Sequence, residues 1–295
     1  ASSLQASKEP VTAPESLRGY KVSFHSDRGM NFNVYTVDLG TGDVENLTKS
    51  ETYDWNATWH PSGKAYSFAS DRIKGANQIF TVSADGSALK QLTTDGANAH
   101  HAWSPDGQWI AFTSTRDLPD PVRQMNNGEL YVMKADGSEQ RRMTNHLDPD
   151  GVPTWSPDSK TIAFQSKREG NFEIFLIDLD GNNLRRLMDS TPSQEIQPAW
   201  SPDGKKIAFV SDRDGANVQN IYIYDREKKD LKRLTFQQGQ NFIPAWSPDG
   251  KWVIFQSMRN GNWDLYLADA EGKEQIRLTT HPGDERYPQF VPKAK

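Results

Sequence analysis

The chain has 295 residues, of which 35% are hydrophobic and none is cysteine, and it carries 39 acidic against 34 basic side chains for a formal charge of -5. Without cysteine, disulfides, thiol catalysis and thiolate-bound zinc are excluded, and an acidic balance argues against a nucleic-acid role, which needs a basic face. No run approaches the ~20 apolar residues of a membrane helix.

In chain order, residues 1–18 come first. They combine Ser, Ala, Pro and Glu without periodicity, and are expected to form a flexible lead-in. The polar opening ASSLQASKEPVTAPES, with Ala1 in first place, reads as the start of a chain whose targeting segment has been removed, although a trimmed chain would look the same; a periplasmic or secreted location is expected. Structure is expected from Gly19. There GYKVSFHSDR matches GKKIAFVSDR from Gly204, so the chain enters in the middle of a repeat.

The repeat is anchored by five copies of one pattern: TWHPSG from Thr58, AWSPDG from Ala102, TWSPDS from Thr154, AWSPDG from Ala199 and AWSPDG from Ala245. A degraded sixth copy, QFVPKA, begins at Gln289. The anchoring aromatics are Trp59, Trp103, Trp155, Trp200, Trp246 and Phe290, spaced by 44, 52, 45, 46 and 44 residues. A period in that range is the signature of a β-propeller. Each unit divides into four strands: one ending in the Trp, one carrying a recurrent Phe (Phe24, Phe68, Phe112, Phe164, Phe209, Phe255), one carrying pairs such as Ile221-Tyr222, and one ending in Leu-Thr. The expected fold is all-β: a six-bladed propeller over 19–295, with four-stranded antiparallel blades. Pairing of the C-terminal strand with the N-terminal strands would close the ring and cover an otherwise unpaired edge.

The pattern PxWSPDGKxIAFxSxRxGxxxIY…DG…LT, clearest from Pro198 to Thr235, resembles the repeat of TolB-like propellers. The resemblance spans essentially everything after residue 18 and is to the propeller alone, without the separate α/β domain of TolB. It implies a periplasmic protein that works by binding other proteins of the cell envelope. The same repeat type occurs in propellers attached to peptidases and in polysaccharide lyases, so resemblance does not by itself select a function.

Alternation of the strands places the Ser-Pro-Asp-Gly and later Asp-Gly turns on one face, and the loops after Ser-x-Arg and after Leu-Thr on the other, here called the upper face. Six arginines, Arg28, Arg72, Arg116, Arg168, Arg213 and Arg259, recur in register, and Asp54, Asn98, Asp150, Glu195, Asn241 and Glu285 stand five residues before the anchoring aromatics. Folding the first two strands together sets each acid or amide opposite an arginine, a hydrogen-bonded lock on the strand ends. The sharper alternative is that Asp54, Asp150, Glu195 and Glu285 ring the channel mouth and hold a calcium ion.

Histidines 25, 100, 101, 146 and 281 map to the upper end, and His101 stands where four other units have proline. A His pair in a channel can ligate a transition metal. One loop is extended, with fourteen residues including Met125 between Arg116 and Tyr131, and an inserted loop on a rigid scaffold is a candidate for recognition. Aromatics gather nearby. Together these give Tyr53, Trp55, His100, His101, Met125, Phe172, Phe242, Trp263 and Tyr287 as expected binding residues for a protein or peptide of the envelope, or a polysaccharide. Neither GxSxG nor HExxH occurs. The leading expectation is a non-catalytic scaffold; the alternative is a metal-assisted lyase or hydrolase acting on an acidic polymer in the channel.

Overall fold

A computed structural model describes residues 7–73, 75–118, 127–215, 217–236 and 239–294. Six antiparallel sheets stand around an axis. The innermost strands are Asp54–Trp59, Asn98–Trp103, Asp150–Trp155, Glu195–Trp200, Asn241–Trp246 and Glu285–Phe290, and each packs against the innermost strands on either side, so these six line a central channel. Blade 1 is the split unit. Its second strand Lys21–Ser26 pairs with the C-terminal strand Glu285–Phe290, with Val22 opposite Phe290 and Ser26 opposite Glu285. The circle is thus fastened by its own two ends, as the repeat phase requires.

The recurring residues assemble one module per blade. In blade 2 the Arg72 guanidinium lies over Phe68 and Phe80 at 4.8 and 5.0 Å, its Nε donates to Ser70 Oγ at 3.0 Å, and its terminal nitrogen donates to Asp54 at 2.9 and 3.0 Å. The cation thus rests on ring faces and is bonded at its edge. In the Ser-Pro-Asp-Gly turn, Ser201 Oγ donates to Asp203 at 2.6 Å and accepts from the Lys206 N–H, while Asp203 accepts from the Lys205 N–H. This is why Ser and Asp recur together. Leu-Thr has a similar cause: Thr235 Oγ accepts from the Ile221 N–H and donates to Asn220, tying the outermost strand to the third.

Residues 7–18 correct the expected lead-in, because they are packed on the ring. Ser7–Lys8 adds a fifth strand to blade 1 along Asp43–Val44, Leu17 is fully buried, and Glu9 is paired to Arg28 at 2.5 Å. Gly42 (φ 75°) makes the approach feasible, since a Cβ there would stand 2.3 Å from the Glu9 carbonyl oxygen. What the composition hides is two burials: one Leu under the sheet and one Glu that finds a cation.

Candidate functional site at the upper channel mouth

Every innermost strand is broken at the same point by a bulge with one left-handed residue, three positions before the anchoring aromatic: Asn56, His100, Val152, Gln197, Ile243 and Tyr287, with φ between 46° and 56°. Left-handed Val and Ile are strongly disfavoured locally, so the ring imposes this geometry. The bulge frees backbone N–H groups, and the preceding blade caps them. Asn56, Val152, Gln197 and Tyr287 donate to His25 Nδ1 (3.4 Å), Thr113 Oγ1 (3.1 Å), Gln165 Oε1 (3.1 Å) and Gln256 Oε1 (2.9 Å). Where the second strand offers only Ala69 or Val210, the preceding bulge residue substitutes: Asn56 Oδ1 accepts from the His101 N–H at 3.2 Å and Gln197 Oε1 from the Ile243 N–H at 2.8 Å. Blades are therefore stitched to one another around the channel, and the mouth is a rigid rim.

On one side of that rim the expected aromatics converge. Tyr287 stacks on His25 (5.1 Å between ring centres) and meets Trp55 edge-on at 5.6 Å; Trp55 meets His100 at 5.2 Å; and Tyr53 joins Phe32 at 4.9 Å and Trp55 at 6.3 Å. His100 Nε2 lies 3.3 Å from the Tyr287 hydroxyl. A second pair, Phe242 and Trp263, is joined to this group through Arg286, whose guanidinium lies over both Trp263 and Phe32. Phe172 stands apart, on a cavity shared with His100. Met125 lies outside the described residues, as does most of the extended loop.

The histidine pair does not act together. The bulge turns His100 toward Trp55 and Tyr287, whereas His101 is buried with Nε2 2.7 Å from Ser67 Oγ. Burial holds His25 and His101 at about 3 and His100 at about 4, so all three are neutral near pH 7. Burial also raises the Tyr53 and Tyr287 phenols, keeping them as uncharged donors. Among the described residues no group of three or more His, Asp or Glu is placed to hold a metal ion.

The four carboxylates proposed for calcium are not brought together. Each is buried against the arginine of its own blade: Asp54 with Arg72, Asp150 with Arg168 at 2.6 Å, Glu195 with Arg213 at 2.7 Å, and Glu285 with Arg28. Asn98 and Asn241 accept from Arg116 and Arg259 in the same way, at 3.2 and 2.9 Å. Arg28 is shared by Glu285 and Glu9; burial and the neighbouring Glu9 charge push Glu285 up to about 8.

Sequence reasoning missed Arg286 as the link between the two aromatic groups, the bulge residues Asn56 and Gln197 as caps, and the exposed apolar residues of the upper loops. These last are Met30, Ile73, Leu147, Phe236 and Met258, which with the expected Tyr53 make six of the eight large hydrophobics exposed among the described residues; Leu89 and Leu184 lie beside the opposite-face turns. Single apolar residues in loops carry no signal until the topology collects them on one face.

A closed ring of six antiparallel blades, fastened by its two chain ends, defines a six-bladed β-propeller. The chain belongs to the TolB beta propeller domain family, whose model matches residues 5–126, 151–244 and 187–295. A protein TolB homolog of Chlorobium luteolum is 28% identical over 175 residues, 59% of this chain and 38% of that protein. Among solved structures, TolB from Acinetobacter baumannii superposes with a TM-score of 0.80 at 22% identity, over 96% of this chain and 68% of that one. An oligogalacturonate lyase in complex with manganese superposes with a TM-score of 0.63 at 20% identity, over 90% and 75%. At these identities the two structures show the shared fold. The chain spans less than half the length of the curated relatives it matches. Among the described residues no helix is long and apolar enough to cross a membrane.

Proposed function

We propose that this propeller is a non-catalytic binding scaffold of the periplasm or the secreted space, docking a segment of an envelope protein over the upper channel mouth. The observation that carries this reading is the gathering of exposed apolar side chains on the upper loops, around a rim whose backbone is fixed by blade-to-blade caps. Apolar groups presented around a rigid rim bind a partner at a reduced ordering cost, and Tyr53, Trp55 and Tyr287 supply large amphipathic anchors of the kind that dominate interface energy. Similarity to TolB proteins supports an envelope partner. Metal-assisted cleavage of an acidic polymer finds less support, because His100 and His101 diverge and the upper carboxylates are engaged by arginines.

The test is capture of envelope proteins on the immobilised propeller, with a Tyr53→Ala/Trp55→Ala double variant and a Leu89→Ala/Leu184→Ala control. The expected result is a discrete partner retained by the wild type and the control and lost at least tenfold from the upper-face variant. Equal retention by all three would contradict upper-face docking.

A further inference from the structure

A cavity of about 430 Å3 opens beside the mouth between blades 3 and 4, lined among others by His100, Asp148, Asp150, Gln165, Lys167 and Phe172. Two departures from the repeat create it. The residue after the recurrent acid or amide is Trp55, Ala99, Ile196, Phe242 or Arg286 in the other blades but Gly151 here. A Cβ at Gly151 would stand 2.6 Å from Thr113 Oγ1, so the strand sits closer to its neighbour than any side chain allows, and a notch remains where four of the other five blades place bulk. Two residues before the acid, Thr52 and Ser193 donate hydroxyls to Asp54 (3.4 Å) and Glu195 (2.6 Å); blade 4 has Asp148 there, a carboxyl side chain in place of the hydroxyl. Asp150 is 1% exposed and binds Arg168 through Oδ2, yet its Oδ1 is buried with no hydrogen-bond partner among the described residues. A buried carboxylate oxygen without a donor costs free energy unless something supplies one.

The charges around the cavity choose the donor. Asp148 and Asp150 are offset by Lys167 and Arg168, so neither an anion nor a cation is favoured. Phe172 and His100 offer flat faces, Gln165 and Lys167 offer donors, and Asp148 and the orphaned Asp150 oxygen offer acceptors. Mixed donors and acceptors beside an aromatic wall suit a ring with hydroxyls around its edge and C–H bonds on its face. We propose that this notch binds a neutral hexopyranose unit of a glycan, with one hydroxyl donating to Asp150 Oδ1 and the ring resting on Phe172. The site stands independently of partner docking on the upper loops.

Saturation-transfer NMR with methyl β-glucopyranoside, methyl β-galactopyranoside and methyl α-mannopyranoside tests it, with Nα-acetyl-lysine methylamide as a probe for a cationic protein side chain. Two variants are compared. Phe172→Ala removes the wall, and Asp148→Thr restores the hydroxyl that Thr52 supplies in blade 2, which should satisfy Asp150 from within and raise the melting temperature. Transfer to at least one pyranoside, reduced fivefold or more in both variants, is the expected result. No transfer to any pyranoside at millimolar concentration, transfer unchanged in either variant, or binding of the lysine probe alone would overturn the proposal.

Discussion

Replacing Asp54 separates the two roles that the upper carboxylates could have. Asp54 is fully buried and accepts at both carboxylate oxygens from one terminal nitrogen of Arg72, whose side chain is 19% exposed, with the Thr52 hydroxyl a longer third donor. Asp54→Ala leaves that guanidinium over Phe68 and Phe80 with its outward bonds unmade. Breaking a buried pair costs about 3 kcal/mol at the low end of the usual range, which applies here because Arg72 can still reach water. With an unfolding entropy of about 2.1 cal/mol/K per residue, that is a fall of about 5 °C in melting temperature. Asp54→Asn should cost less than about 1 kcal/mol, because blades 3 and 6 already join Asn98 to Arg116 and Asn241 to Arg259 with the same geometry. Calorimetry and urea titration of both variants, each with and without millimolar calcium, give the comparison. An Asn variant as unstable as the Ala variant would refute the hydrogen-bonded lock. A midpoint raised several degrees by calcium in the wild type and not in Asp54→Asn would show that the carboxylates can converge on a cation.

Three further outcomes follow from the same geometry. Unfolded imidazoles take a proton near pH 6.5, whereas folded His25 and His101 stay neutral down to about 3 and His100 to about 4, so the unfolded state binds more protons in between. Stability should therefore fall as pH drops from 6.5 toward 4, by up to about 4 kcal/mol per pH unit for the three groups together. Glu285 works in the opposite sense: raised to about 8, it should cost stability gradually as pH rises from 4.5 to 8, so urea midpoints should peak near pH 6.5. A profile flat between pH 4 and 6.5 would contradict neutral burial of the histidines. Gln197→Ala leaves the Ile243 N–H uncapped and should cost about 1–3 kcal/mol by urea titration, whereas Lys205→Ala on the exposed opposite face should change nothing measurable. Leu17→Ala, within the segment that sequence alone assigns to a lead-in, should cost about 2–5 kcal/mol; a change under half a kcal/mol would mean that this segment does not hold its place.

The ring was legible because its period is written in large residues. Trp, Phe and Arg recur at fixed distances, and the phase of the first and last fragments gives closure by Glu285–Phe290 along Lys21–Ser26. Pairing of Asp54 with Arg72 followed from the same register. The bulges were not legible, since Val152 and Ile243 have no local reason to be left-handed and only the crowding of six strands around one axis imposes it. For the same reason adjacent His100 and His101 look like a pair in the sequence and face different neighbours in the fold. The strap over residues 7–18 escaped because its anchoring depends on partners distant in the chain, Gly42 and Arg28. Gly151 and Asp148 went unremarked in the sequence, because their consequence needs the position of Thr113 and the unpartnered oxygen of Asp150.

Upper-face docking is tested most directly by placing a photo-crosslinking amino acid singly at Ile73 or Phe236 on the upper loops and at Leu89 or Leu184 beside the opposite turns, then irradiating in an envelope extract. The account expects the same partner band from both upper positions and none from the opposite ones. The same band from Leu89 and Leu184, with none from Ile73 and Phe236, would contradict it.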